Sequence, residues 1–86
     1  MRIVEQLEQC LSIAHQIGYD VRHEWLDGDG GGACEFGGKK WLFVDLAKTP
    51  AEQLDQVIEA MHGEPALVDV DLSAEVRSLF DGRRAA

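Results

Sequence analysis

The chain has 86 residues, 45% of them hydrophobic and 28% charged, which is the composition of one small globular domain with a single core. Sixteen acids against eight bases give a formal charge of −8, a field that repels nucleic acid and anionic membrane surfaces and favours solubility or a basic partner. No segment approaches the roughly 18 apolar residues of a membrane span, and the opening MRIVEQLEQC interrupts its apolar residues where a signal peptide needs a continuous run, so the expected location is the cytoplasm.

In chain order, residues 3–17 place Ile3, Val4, Leu7, Cys10, Leu11, Ala14 and Ile17 at helical spacing, with Glu5, Glu8, Gln9, Ser12 and Gln16 on the other side. This predicts an amphipathic helix ended by Gly18 in a left-handed conformation, with Tyr19 folding back onto it. Tyr19 to Leu26 alternates with period two and predicts a strand; Ala33 to Phe36 is a second, short one. Gly37-Gly38 supplies the two positive-φ residues of a tight hairpin, from which KKWLFVDL returns as a third strand. Its centre, Trp41 to Val44, is apolar on both faces and needs cover on both.

The stretch TPAEQ starts the next helix. Thr49 is the expected cap, Pro50 fits the first turn, and Glu52 closes a capping box. Ala51, Leu54, Val57, Ile58 and Met61 form its apolar stripe, and burying the four large side chains is worth about 1.5 to 3 kcal/mol apiece. Gly63 and Pro65 end it. ALVDVDL then reads as an edge strand or extended arm, Ser73 to Phe80 as a short helix, and DGRRAA as a frayed tail.

The glycine-rich stretch DGDGGGACEFGG poses the chemical question. Asp27-Gly-Asp29 begins like a calcium loop, but Gly31 and Gly38 occupy the fifth and twelfth positions, where that loop needs ligands. A phosphate cradle needs glycines leading into a helix, whereas these lead into a strand beside two aspartates. The reading left is a flexible hairpin loop from Asp27 to Gly32. HEWLD, residues 23–27, has the start of H-E-x-x-H with Asp27 in place of the second histidine. On a strand, residues four apart are about 13 Å from each other and cannot share a metal. His15, His23 and His62 have no ligand spacing, so neither a metal nor another cofactor is expected. Cys10 and Cys34 are too few for a disulfide framework and lack C-x-x-C spacing; both are expected as free thiols filling small apolar spaces. Lys39-Lys40 reads as a guard against strand aggregation. No catalytic residue is singled out.

The run GGGACEFGGKKWLFVDLAKTPAEQLDQVIEAM, with its Gly-Gly-x-Cys strand, Gly-Lys-Lys turn and Pro-x-Glu-Gln helix, resembles a family of small bacterial proteins without an established activity. The order of elements is also similar to the front half of small zinc peptidases, but AEQLDQVIEAMH lacks the H-E-x-x-H that the resemblance would require for catalysis. Double-stranded RNA-binding domains have a similar order, yet TPAEQLDQ is acidic where that family is basic.

The expected fold is α+β, α-β-β-β-α, with a three-stranded antiparallel meander and a carboxyl-terminal arm or short helix, as one domain over residues 1–80 and a tail over 81–86. The leading function is a non-enzymatic protein-interaction module, a homodimer with no nucleic-acid or membrane partner. It associates through a face collecting Tyr19, Val21, Trp25, Cys34, Phe36, Trp41 and Phe43, with Trp25 opposite Cys34 and Cys34 opposite Trp41. The alternatives are a ligand-binding protein or enzyme centred on Cys34 and His23, or a catalytically inactive relative of the zinc peptidases.

Overall fold

The computed structural model describes residues 2–28 and 30–85, without the side chains of residues 83–85. Asp29, half of the calcium-loop comparison, and Ala86, the end of the expected tail, lie outside the described residues. The elements are α1 (Ile3–Gln16), β1 (Tyr19–Glu24), β2 (Gly32–Phe36), β3 (Lys39–Asp45), α2 (Pro50–Met61), a 3-10 turn (Pro65–Asp69) and α3 (Ala74–Ala85). The class is α+β, in the expected order.

Helix α1 buries Leu7, Cys10, Ile13 and Ala14 and stops where Gly18 takes φ +103°. Tyr19 then turns back into the core, 7% exposed. Helix α2 begins in the expected capping box: Thr49 Oγ1 accepts from the Glu52 amide at 3.2 Å, and Glu52 Oε1 accepts from the Thr49 amide at 2.9 Å. That second bond, from the Thr49 amide, holds the Glu52 carboxyl below its ordinary range.

The sheet is mixed, which corrects the expected meander. Its order is β1-β3-β2: β2 and β3 form the antiparallel hairpin, while β1 runs parallel to β3 with Tyr19 opposite Lys40 and Val21 opposite Leu42. β3 is thus inserted between two strands that follow each other in sequence. The physical reason lies in its composition. The strand apolar on both sides gains most from the centre of the sheet, where neighbours flank it on both edges.

Helices α1 and α2 pack together against one face of this sheet, and α3 packs on α1 and α2. The core joins the α1 residues to Tyr19, Leu42 and Val44 of the sheet, Leu54, Val57, Ile58 and Met61 of α2, and Val76 and Phe80 of α3. ALVDVDL is neither a strand nor an extended arm: Pro65 starts a 3-10 turn instead. Beyond it Ser73 Oγ accepts from the Val76 amide at 3.2 Å and opens α3, which runs to Ala85, past the expected end at Phe80.

Candidate interaction face

Side chains alternate across a strand, and directly paired residues share a side. Leu42 and Val44 point to the helices, and their β1 partners Val21 and His23 follow them, as does Tyr19 opposite Lys40. The other face carries Trp41 and Phe43 from β3, Cys34 and Phe36 from β2, and Asp20, Arg22 and Glu24 from β1. Among the described residues the helices pack on the other face, since Leu42 and Val44, and not Trp41 and Phe43, join their core.

The expected face is therefore divided. Cys34, Phe36, Trp41 and Phe43 do share one side, and Cys34 does stand opposite Trp41. Tyr19 and Val21 lie on the helix side, because parallel pairing with β3 aligns them with Lys40 and Leu42. Trp25 falls beyond the end of β1, 73% exposed, and is not opposite Cys34. In place of these three the open face has a charged row, which period-two reading of YDVRHEWL assigned to the other side.

The rings of Trp41 and Phe43 stack at 6.2 Å between centroids and 20° between planes. Two cations lie over the indole, the Arg22 guanidinium at 5.7 Å from the ring centre and Lys39 Nζ at 5.2 Å. Lys39 also reaches Asp20 at 3.2 Å. A shallow concavity of about 410 Å³ opens between Arg22, Cys34, Glu35, Phe36, Trp41 and Phe43. Phe36 is 76% exposed at its rim.

Polar groups elsewhere organise the scaffold. Asp45, fully buried at the end of β3, accepts from the amides of Leu26 at 3.0 Å, Gly28 at 2.8 Å and Ala47 at 2.9 Å. Burial pushes its carboxyl up, but these amides, with that of Gly30, outweigh it and hold the group below the ordinary aspartate range. Gln53 Nε2 donates to the Asp45 carbonyl and Gln56 Nε2 to the Gly30 carbonyl. The glycine segment is consequently fastened to β3 and α2, not a free hairpin loop. It must cross the end of β3 to carry the chain from one sheet edge to the other, and the buried carboxylate gathers its amides there.

At the opposite end of the sheet Glu64 accepts from Lys40 Nζ at 2.8 Å and from the Tyr19 hydroxyl at 3.2 Å. The lysine bond chiefly holds the Glu64 carboxyl low, and it raises Lys40. Burial, then the charge of Glu64, raises the Tyr19 phenol. Lys40 is thus committed to a fold contact. Arg22 and Glu64 escaped the sequence reading, and Lys39 was read only as an aggregation guard; the trace of the first two is alternation with the apolar positions and a glutamate just after the helix-ending glycine.

The Cys34 and His23 pair is not brought together. The two residues occupy opposite edges of the sheet, two strand spacings apart across β3 and three residues out of step along it, roughly 14 Å in all, and opposite faces. Both cysteines are free thiols; Cys10 fills an apolar space as expected, its thiol pushed up to about 11 by burial, but Cys34 does not, because it stands on the uncovered side of an edge strand and is exposed. His23 lies in a strand, and Asp27 follows it in a left-handed turn at φ 59°, so the two share no helical face. Among the described residues no three histidine, cysteine or acidic side chains converge as a metal set, and no helix is long and apolar enough to cross a membrane. No family model matches the chain, and neither the curated proteins nor the solved structures contain a match to it.

Proposed function

We propose that this chain is a non-enzymatic protein-interaction module that self-associates through the open face of its sheet. The observation that carries the reading is that Trp41, Phe43 and Phe36 lie together on a face that α1, α2 and α3 all leave uncovered. An aromatic surface of this kind is rarely left to water. The charges favour a second copy as the occupant. Asp20 and Glu24 balance Arg22 and Lys39 around the aromatic residues, and with Glu35 at the rim only one charge of the chain's negative excess falls here. Two acidic copies meet there without the repulsion their net charge would otherwise impose. Free thiols fit a reducing compartment, and we place the protein in the cytoplasm.

Sedimentation equilibrium tests this. The full chain is expected to form a dimer, and Phe36→Lys, at a position already largely in water, is expected to shift it to monomer with an unchanged circular dichroism spectrum. A chain that stays monomeric up to millimolar concentration, or a Phe36→Lys dimer as tight as the parent, would overturn the reading.

A further inference from the structure

The free edge of the sheet offers a second surface, adjoining the self-association face. β2 is an edge strand, and among the described residues its outward amides and carbonyls have no backbone partner. Such an edge is a template for one more strand. On its helix side two concavities meet at Ala33: one of about 370 Å³ between Gly31, Gly32 and the α2 flank of Gln56, Glu59 and Ala60, the other of about 240 Å³ reaching Glu35 and Glu64. Together they form a trough along the helix side of β2, walled by α2 at the Gly31 end and open towards Lys40 and Tyr19 at the Glu35 end. Gly32 leaves its backbone open, since a β-carbon there would meet nothing within 4 Å.

The trough is acidic. Lys40 pairs with Glu64 at 2.8 Å and stands opposite Glu35, while Glu35 and Glu59 make no ion pair among the described residues, so carboxylates outnumber the one cation there. Gln56 adds a buried Oε1, packed against Gly31, with no hydrogen-bond partner. The other side of β2 differs: Cys34 and Phe36 continue the aromatic face. A strand added beside β2 would alternate its side chains between these two environments. We propose that the trough along β2 takes an extended peptide of alternating basic and apolar residues, added to the sheet as a fourth strand. Its basic side chains meet Glu35 and Glu59, its apolar ones extend the face beside Phe36, and its backbone pairs with the edge.

The test uses the full chain and three labelled octapeptides: alternating lysine and valine, the same peptide N-methylated at alternate residues, and alternating glutamate and valine. Fluorescence anisotropy at low salt is expected to show binding of the first peptide alone, with slowed hydrogen exchange at the β2 amides. Glu35→Lys and Glu59→Lys, both at exposed positions, are expected to weaken it at least tenfold without changing the circular dichroism spectrum. N-methylated binding as tight as the parent's would mean attraction of charge without strand pairing and would overturn the proposal. Equal binding of the glutamate peptide, undiminished binding in both charge-reversed variants, or no binding of the lysine peptide at millimolar concentration would overturn it too. Repeating the titration at protein concentrations where sedimentation shows only monomer separates this surface from the dimer face.

Discussion

Asp45 ties three stretches of chain together: its carboxylate collects amides from the glycine segment and from the chain leaving β3, and its backbone carbonyl receives Gln53. A carboxylate suits this place because it only accepts, and every group facing it donates. Asp45→Asn puts an amide group where one acceptor oxygen stood, and the expected result at pH 7 is unfolding at a clearly lower urea concentration. The pH dependence has a definite sign. The folded value lies below that of the unfolded chain, about 4, so the stabilisation is complete above that value and is lost as pH falls through the folded one. The gap between parent and variant should therefore narrow as the pH is lowered below about 4. A gap of constant size from pH 7 to pH 3 would show that the charge of Asp45 contributes nothing.

At the scale of elements, local chemistry was legible and non-local pairing was not. Thr49, Pro50 and Glu52 announce α2 because a helix cap is completed within four residues. Gly37 and Gly38, at φ 61° and 78°, announce the hairpin for the same reason. The partner of β1 is another matter: nothing within YDVRHEWL distinguishes pairing with β2 from pairing with β3, and that choice decides which side Tyr19 and Val21 take. Half of the candidate face, from β2 and β3, was readable through the hairpin register; the half from β1 was not. The glycine segment was misread as free because its fastenings come from Asp45 and Gln56, both distant in sequence. Two glycines in it make a comparison. Gly31 and Gly32 have nearly equal positive φ, 104° and 107°, but a β-carbon on Gly31 would lie 2.5 Å from Gln56 Oε1, and one on Gly32 would meet open space. Gly32→Ala should cost about 1 to 2 kcal/mol in backbone strain, and Gly31→Ala more, by urea denaturation. Equal losses would mean that Gln56 moves aside freely.

For the molecule as a whole, α1 and α2 cover one face of the sheet, and α3 closes over those two helices. Val76 and Phe80 belong to the same core as Leu7 and Met61, so the carboxyl-terminal residues seal the helix side and leave the aromatic side open. The insertion of β3 between β1 and β2 also dictates an order of events in time. The β2–β3 hairpin closes through neighbours in sequence, an event of about 1 to 10 μs for hairpins in general, whereas β1 cannot dock until β3 exists to receive it. The bonds from Gly28 and Leu26 to Asp45 can form only after that docking. Weakening the hairpin turn at Gly38 should then slow folding, and Asp45→Asn should leave folding almost unchanged while speeding unfolding, a difference that stopped-flow chevrons would reveal. The same buried carboxylate that stitches the sheet ends together is, kinetically, the latch that closes last and opens first.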